Sequence, residues 1–323
     1  MAGRGLTGSL AAEGRAMRRA LIREFLSVEG VEVIATLDMR FEEKSPIAQS
    51  VAVGPDEEEE TLARLSSECD FTLVIAPETD DILATRTEIV ERVGRSLGST
   101  PQAIRLTADK WRLAAHLEVA GIPTPRTLRF RTSDGLPAYA HYPAVIKPVD
   151  GAGSIQTYFC ENADALPDRL SLPSEMVIQP FLEGESWSVS LLMGDGNDPL
   201  ILGAGRQNIV RLGNSFEYRG GLIKAFSTRS VAEPMQAVKS VEGLRGWVGV
   251  DFIKGRHDES LTVLEINPRP TTSIVGLLEY YEPGTIARAW MDLRSGIRSY
   301  PTSKKRKRGL SFSRDGVTLD WEG

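Results

Sequence analysis

Two acidic residues and an amide recur at short, regular spacing in one part of the sequence. Asp251 lies in "GVDFIKG", and Glu265 and Asn267 follow in "LTVLEINPRP". If Gly255–Ser260 connects a β-hairpin, the numbers of facing residues sum to about 516, which sets Asp251 opposite Glu265. Two facing carboxylates repel each other and are costly to bury unpaired, so they need a nearby cation. Oxygen ligands of this kind are what Mg²⁺ accepts when nucleotide phosphates complete its coordination.

The two faces of this hairpin differ in polarity because side chains alternate along a strand. We expect one face to enter a core, and it collects Val248, Val250, Phe252, Leu264 and Ile266. The other face collects the three polar residues together with Val263. The alternative is an exposed sheet face with incidental acids, since a register slip of one residue would break the alignment.

A lysine and a glycine-rich loop follow a predicted strand in "AVIKPVDGAGS". Lys147 ends the strand, and Gly151 and Gly153 come soon after it. Glycines let successive backbone N–H groups turn toward an anion, and such a loop can close over phosphates. The alternatives are an edge-strand lysine and a plain turn. Lys110, in "TADKWRLAAHL", is uninformative by itself.

The segment "VIQPFLEGE" has the form of a hinge that could bind a flat base. Apolar side chains would sandwich the base, and the carbonyl of Pro180 and the N–H of Leu182 could pair with its edge. Glu185 could accept both ribose hydroxyls. The alternative is a strand–turn–strand corner. No Ser–His–Asp or Cys–His set is apparent in the sequence, so no set of nucleophilic catalytic residues competes with the interpretation as a phosphate-transfer site.

Helix-like and strand-like segments alternate over the first hundred residues or so. Helical spacing covers residues 11–30 and 81–98, and short apolar strands cover Val31–Leu37 and Phe71–Ala76. This pattern predicts an α/β layer with a parallel sheet. The chain begins with a glycine-rich loop and a helix where such a domain usually begins with a strand. Either that strand is absent from this sequence or the start was placed late.

The remainder of the chain predicts mixed α and β structure. Thr107 is a plausible N-cap of the helix "ADKWRLAAHLEVA", and Gly121 is its expected C′ residue. A short helix is expected near Val231–Val241, and a later helical segment breaks at Pro283–Gly284. The fold class is therefore α/β at the amino end followed by α+β.

Composition limits the functional classes. The chain has 323 residues, 41% hydrophobic and 25% charged, with room for two or three compact units. No run of about 18 apolar residues or secretory h-region occurs, which argues against a membrane partner. Cys69 and Cys160 suggest neither a disulfide framework nor a metal cluster, and a reducing cytoplasm fits. The net charge of −6 does not favour nucleic acid. The basic run Lys304–Arg308 is a targeting patch, a phosphate-binding patch or a solvated segment.

The motifs "DKW", "VIKPVDGAGS", "QPFLEGE", "GVDFI" and "LEINPR" occur in this order. Their order and spacing resemble the ATP-grasp superfamily over roughly residues 1–295. The resemblance implies a pre-ATP-grasp α/β domain at 1–100 and two α+β lobes at 101–185 and 186–299 that clamp ATP, before a basic tail at 300–323. Within the superfamily, "KPVDGAGS" and "EINPRPTTS" are most similar to the tyramine–glutamate ligases of methanofuran biosynthesis.

The resemblance also implies roles for individual residues. Lys110 and Lys147 would bind the α- and β-phosphates, and the loop Asp150–Ser154 would cover them. The nucleotide-binding residues would further include Asp150, Gly151, Gly153, Ser154, Gln179, Pro180, Phe181, Leu182 and, at the ribose, Glu185. Many superfamily members have Glu where Gln179 stands, and in many the ribose carboxylate occupies the position of Ser186.

The metal and catalytic residues follow from the same resemblance. Asp251, Glu265 and Asn267 would ligate two Mg²⁺ ions, with Mn²⁺ as an alternative. Arg269 would bind the γ-phosphate or an acyl phosphate, beside Lys147. Arg206, in "GAGRQNI", is a further candidate because a carboxylate and a γ-phosphate are both anionic.

These features predict an ATP-dependent carboxylate–amine ligase. ATP would phosphorylate a carboxylate, and an amine would attack the acyl phosphate and release phosphate. The protein would act by positioning these substrates and by neutralising the negative charge on the phosphates and the carboxylate. The resemblance suggests glutamate and an aryl-ethylamine such as tyramine as small-molecule partners. An inactive nucleotide-binding module and a phosphotransferase for a non-carboxylate acceptor are the alternatives, and a homodimer is one option for assembly.

Overall fold

The computed structural model describes residues 9–40, 47–151, 155–165, 172–196, 198–224, 231–304, 309–314 and 318–321. Its α-helices are α1 Ser9–Leu26, α2 Glu58–Glu68, α3 Ile82–Val93, α4 Pro101–Ala108, α5 Lys110–Val119, α6 Ala232–Ser240, α7 Ile274–Leu277 and α8 Thr285–Arg294. Its strands are β1 Ile34–Asp38, β2 Gln49–Val53, β3 Leu128–Arg131, β4 Ala144–Pro148, β5 Tyr158–Cys160, β6 Glu175–Pro180, β7 Gly184–Met193, β8 Leu200–Leu212, β9 Ser215–Lys224, β10 Gly246–Gly255, β11 Leu261–Asn267, β12 Gly309–Phe312 and β13 Thr318–Trp321. No helix in these ranges is long and apolar enough to span a membrane.

The amino-terminal region contains a parallel strand pair, as expected of an α/β layer, but not the pair of strands that was predicted. β1 pairs in parallel with β2, a strand that the sequence pattern missed. The prediction of a strand over Phe71–Ala76 is wrong. Within the described residues, this segment forms only a single parallel bridge, from Thr72 to Ser96. Its apolar side chains pack into two neighbouring cores instead, so burial rather than a hydrogen-bonded ladder explains its hydrophobic pattern.

The helices before the site begin at residues that local capping chemistry selects. The predicted N-cap at Thr107 is wrong, because Thr107 lies inside α4 and its hydroxyl donates to the Ala103 carbonyl at 2.9 Å. Asp109 caps α5 instead, and its carboxylate accepts the N–H groups of Trp111 and Arg112 at 3.0 Å each. Gly121 has φ +70° after the end of α5, as expected of a C′ glycine. This cap makes Lys110 the first residue of α5.

The main sheet consists of two antiparallel parts. The strand order is β11-β10-β7-β8-β9 in one part and β5-β4-β6-β3 in the other. Among the described residues, the two parts pair at one position, Tyr158 with Ser215. The largest core lies against β7, β10 and β11 and includes α5 and α6, while a small core covers β4 and β6. The space between the two parts is where the candidate site forms.

The carboxyl-terminal segment continues the sheet. β12 pairs with β9, with Leu310 opposite Ile223. Leu310 and Phe312 are 2% and 7% exposed, so the predicted basic tail contains buried structural residues. Of the basic run, only Lys304 lies among the described residues, and its N–H donates to the Tyr280 carbonyl.

Candidate active site

The predicted hairpin is present in the predicted register. Asp251 of β10 pairs with Glu265 of β11, and Gly249 pairs with Asn267. The connection Gly255–Ser260 is confirmed by the ends of the two strands. The two carboxylates therefore face each other across the ladder, and the amide lies one pair further along the same face.

A β-bulge exchanges two of the expected hairpin positions. The pairing shifts between Asp251 and Phe252, so that Phe252 faces Val263 and Leu264 is the extra residue. Val263 is fully buried in the core beside Phe252, whereas Leu264 lines a cavity. The prediction that placed Leu264 in the core and Val263 with the polar residues is wrong for this reason.

Two buried lysines face Glu265. Lys147 Nζ donates to Glu265 Oε1 at 2.6 Å, and Lys110 Nζ lies 3.9 Å from the same oxygen. The lysines are 7% and 6% exposed. Burial alone would raise the pKa of Glu265, but the charges of Lys110 and Lys147 outweigh it and hold that pKa below its ordinary value. Lys110 also donates to the Gly151 carbonyl at 2.7 Å, which connects α5 to the start of the glycine-rich loop.

The negative charge of Asp251 is less well balanced by nearby positive charges than that of Glu265. Desolvation, and then the charge of Glu265, raise the pKa of Asp251 to about 6. Its two carboxylate oxygens accept hydrogen bonds at 3.1 Å, one from Gln207 Nε2 and the other from Asn267 Nδ2. Desolvation and the charge of Glu265 outweigh the hydrogen bonds from Ser188 and Asn267 and the charge of Lys147, all three of which lower the pKa of Asp251. The pair thus combines a stably ionised carboxylate with one that is poorly stabilised in the absence of a further cation.

The raised pKa of Asp251 predicts a pH dependence of stability in the metal-free protein. When a carboxyl has a higher pKa in the folded protein than in the unfolded chain, the folded protein holds more protons between the two pKa values. The free energy of unfolding therefore falls as pH rises through that range. Between about pH 4 and pH 6 we expect Asp251 to lower the free energy of unfolding by about 2–3 kcal/mol. Urea unfolding across this range, compared with Asp251→Asn, isolates the effect. Identical pH profiles for the two proteins would contradict it.

A cavity of about 430 Å³ lies between the two parts of the sheet. This volume is in the range of small-molecule sites. Of the residues predicted for the site, those lining it are Lys147, Gln179, Pro180, Phe181, Leu182, Arg206, Asp251, Glu265, Asn267 and Arg269. The structure thus brings the predicted hinge, lysine and hairpin residues to one space.

The glycine-rich loop is only partly described. Asp150 Oδ2 accepts the backbone N–H of Asp80 at 3.0 Å, which connects the loop to the amino-terminal region. Gly151 contacts Lys110 through its carbonyl. Gly153 and Ser154 lie outside the described residues. The first residues of the loop therefore lie next to Lys110.

Glu185 and Arg206 face away from the carboxylates. Asp251 pairs with Ser188 of β7, and alternation along β7 places Ser186 on that side and Glu185 on the other. Glu185 Oε1 accepts from Arg206 at 3.0 Å, and Ser186 lines the cavity. Glu185 therefore does not line the cavity where the ribose was expected. Arg206 does line the cavity, but its guanidinium forms a half-exposed ion pair with Glu185 instead of lying among the reacting groups.

Arg269 is fixed by an acid that the sequence reasoning missed. Its guanidinium donates to Glu78 Oε2 at 2.9 Å and to the Pro270 carbonyl at 3.1 Å. The side chains of Arg269 and Glu78 are 12% and 6% exposed. Arg269 Nε and Glu78 Oε1 have no partner among the described residues. The one signal in the sequence was an acid directly after the apolar run in "VIAPETDD".

Glu13 of α1 is a second carboxylate that the sequence reasoning missed. It lines the cavity, and Thr272 donates its hydroxyl to Glu13 Oε2 at 3.1 Å. Desolvation raises the pKa of Glu13, although Thr272 and the charges of Arg269 and Arg314 oppose the shift. Tyr218 also lines the cavity, and burial raises its pKa. The amino-terminal helix therefore contributes to the end of the cavity near Arg269.

The hairpin residues fit a divalent ion that is also bound by phosphate. No three His, Cys, Asp or Glu side chains among the residues described are grouped to bind a metal ion by themselves. Asp251 and Glu265 supply two carboxylates, and Asn267, which donates through Nδ2, has its carbonyl oxygen left to ligate. Mg²⁺ is usually bound by one or two carboxylates together with water and substrate phosphates. The poorly compensated charge of Asp251 also favours an additional cation.

Comparisons with known proteins agree with this geometry. The family described as "ATP-grasp domain" matches residues 107–273, and the "pre ATP-grasp 3 domain" matches residues 31–104. The tyramine–L-glutamate ligase of Methanocaldococcus fervens is 31% identical over 274 residues, which are 82% of this chain and 82% of that protein.

Solved structures show the same fold. A protein of Archaeoglobus fulgidus assigned to the ATP-grasp superfamily superposes with a TM-score of 0.70 and 28% identity, covering 96% of this chain and 88% of that one. An L-amino acid ligase from Bacillus licheniformis shares the fold, with a TM-score of 0.70 at 17% identity over 90% of this chain and 76% of that one. The chain therefore belongs to the ATP-grasp family of ATP-dependent ligases, with a pre-ATP-grasp domain before the ATP-grasp domain.

Proposed function

We propose that the protein joins glutamate to an aryl-ethylamine such as tyramine through an acyl phosphate. The observation that carries the proposal is the convergence of Asp251, Glu265 and Asn267 with Lys147 and Lys110 beside the cavity. The choice of substrates is supported by the similarity to a tyramine–L-glutamate ligase over most of both chains.

The carboxylate end of the site would bind the triphosphate. Asp251, Glu265 and Asn267 would hold two Mg²⁺ ions, with Mn²⁺ as a substitute, and the ions would neutralise charge on the phosphates. Lys147 and Lys110 would add two further positive charges next to the phosphates. Because Lys147 already contacts Glu265 at 2.6 Å, a phosphate oxygen would share its ammonium with that carboxylate. The base would lie at Gln179–Leu182.

The reacting groups would meet at Arg269. A carboxylate oxygen of glutamate attacks the γ-phosphorus, and the bond from that phosphorus to the β-phosphate oxygen breaks to release ADP. The amine nitrogen then attacks the acyl carbon, the bond to the phosphate oxygen breaks, and the nitrogen loses a proton. Arg269 would stabilise the transferred phosphoryl group. Glu13, with Thr272, offers a carboxylate to a substrate ammonium group near Arg269.

The experiment is a substrate panel with two readouts. The purified protein is incubated with ATP, Mg²⁺ and glutamate or other amino acids, with and without tyramine and related amines. Phosphate release and amide mass are measured together. We expect phosphate release that saturates with an aryl-ethylamine and an equal yield of amide.

Each alternative function has its own outcome. Nucleotide binding without phosphate release, across the whole panel, would indicate a binding module. A stable phosphorylated small molecule without an amide product would indicate a phosphotransferase. Amide formation with another acid or amine would keep the ligase reaction and replace the proposed substrates.

A further inference from the structure

One end of the cavity has an apolar wall. Three side chains of the surrounding core, Ile223 of β9, Leu277 of α7 and Phe312 of β12, line the cavity there. They are 3%, 2% and 7% exposed, so each presents only a small part of its surface. A polar group gains nothing from such a wall, whereas an apolar group placed against it is removed from water.

Two glycines allow this wall to form. A Cβ atom at Gly276 would lie 2.7 Å from Ile223 Cδ1 and 3.0 Å from Phe312 Cδ1. A Cβ atom at Gly203, which itself lines the cavity, would collide with Leu277 Cδ2. Because protein interiors are close-packed, a larger residue at either position would displace these side chains. The position of the wall is therefore fixed by the backbones of α7 and β8.

A carboxylate lies about one helical turn from this wall. Glu13 lines the cavity and accepts the Thr272 hydroxyl at 3.1 Å. Thr272 comes four positions before Gly276, against which Phe312 packs, and the segment between them forms the helical turn that begins α7. Side chains four positions apart on such a turn lie on the same side, about 5–6 Å apart. This end of the cavity thus combines one anionic group with an apolar surface at short range.

This combination matches an amine that carries an apolar group on a short linker. We propose that Ile223, Leu277 and Phe312 form the subsite for the aryl group of the amine substrate, with the ammonium group bound at Glu13. An aryl-ethylamine has its ammonium and its ring two carbons apart, which suits a carboxylate and an apolar wall one helical turn apart. The inference rests on the proposed function, because it takes ligation to occur in this cavity.

Most of this subsite lies outside the part of the chain that the ATP-grasp family shares. Leu277 and Phe312 come after residue 273, where the match to the ATP-grasp domain ends, and Glu13 comes before residue 31, where the match to the pre-ATP-grasp domain begins. The carboxyl-terminal strand β12 therefore has a role in choosing the amine, in addition to extending the sheet.

A series of amines tests the subsite on the wild type. With ATP, Mg²⁺ and glutamate, kcat/KM for amide formation is measured for phenethylamine, ethylamine and benzylamine. We expect phenethylamine to exceed ethylamine by about 10²-fold, since only its ring is buried against the wall. Benzylamine, whose linker is one carbon shorter, should be about tenfold poorer than phenethylamine. Ethylamine used as well as phenethylamine would overturn the inference.

Two variants on β12 separate recognition of the ring from stability of the fold. Phe312→Leu keeps an apolar side chain but removes the aromatic contact, so the preference for phenethylamine over ethylamine should fall by about fivefold. Leu310→Ala is the matched control, because Leu310 is on the same strand and also packs against Gly276 but does not line the cavity. This control should keep the preference. An unchanged preference in Phe312→Leu, or an equal fall in Leu310→Ala, would contradict the role of Phe312.

Glu13→Gln tests the other end of the subsite. Phenethylamine and ethylamine share the ammonium group, so loss of the carboxylate should lower kcat/KM for both by about tenfold and leave their ratio unchanged. The variant therefore separates recognition of the charge from recognition of the ring. Wild-type kcat/KM for both amines in Glu13→Gln would contradict the assignment of the ammonium group to Glu13.

Failure of this inference is distinguishable from failure of the proposed function. Amides formed equally well from ethylamine and phenethylamine contradict the aryl subsite alone. Absence of any amide contradicts the proposed function, and calorimetric binding of phenethylamine then decides the subsite. Weaker binding to Phe312→Leu than to the wild type would support the subsite, and equal or absent binding would contradict it. If Phe312→Leu does not fold, the amine series on the wild type still decides the outcome.

Discussion

Glu265→Gln is expected to lower kcat for amide formation by at least about 10²-fold, because it removes one negative charge where cations and phosphate meet. Glutamine keeps the shape of the side chain but is a weaker metal ligand. It also leaves Lys110 and Lys147 without their shared anion. We therefore also expect a higher Mg²⁺ requirement and a lower free energy of unfolding. Turnover across a Mg²⁺ titration, well below the melting temperature, measures the catalytic part.

Glu185→Gln is the matched control for this variant. Glu185 is also a carboxylate beside a cation, but its pair with Arg206 is half-exposed and on the opposite face of the sheet. Such pairs contribute little to stability, so turnover and unfolding should stay within about twofold of the wild type. Wild-type turnover by Glu265→Gln would refute the metal assignment. An equally large loss in Glu185→Gln would refute its revised position.

Arg269→Met is expected to lower turnover by about 10³-fold, because it removes a fixed cation from the transferred phosphoryl group. It should also lower the free energy of unfolding by about 3–5 kcal/mol, since it leaves Glu78 as a buried, unpaired charge. Glu78 is 6% exposed and accepts from Arg269 at 2.9 Å. Urea unfolding and amide formation are measured on the same preparations.

The double variant Glu78→Leu with Arg269→Met separates the two effects. Replacing both charges with apolar side chains removes the unpaired group, so most of the lost stability should return. Turnover should stay low, because no guanidinium is restored. Recovery of turnover in the double variant would contradict a catalytic role of Arg269 and leave a structural role for the pair.

The hairpin could be predicted from the sequence because its determinants are local. The side-chain period of two and the length of the connection place Asp251 opposite Glu265 without any other part of the fold. The bulge could not be predicted from the hairpin sequence. It depends on the rest of the fold, which provides a core against which Val263 packs and a cavity that Leu264 lines. The sequence pattern predicted Thr107 as the capping residue, whereas it is Asp109 that has its carboxylate on the free N–H groups.

The missed acids depend on contacts between distant segments. Arg269 and Glu78 are 191 positions apart, and Thr272 and Glu13 are 259 positions apart, so no spacing rule connects them. The position of Glu185 depended on a single residue of register, since Ser186 is its neighbour on the cavity side. The segment Phe71–Ala76 has the composition of a strand. Whether another segment pairs with it along its length depends on how the amino-terminal region packs, and only the bridge from Thr72 to Ser96 forms within the described residues.

The acyl phosphate is tested most directly by following carboxylate oxygen into phosphate. Glutamate labelled with ¹⁸O in its carboxyl groups is incubated with ATP, Mg²⁺, tyramine and the protein, and the phosphate is analysed by mass spectrometry. The proposed reaction predicts one labelled oxygen in each phosphate released, in step with amide formation. Amide formed alongside unlabelled phosphate would contradict an acyl phosphate at this site.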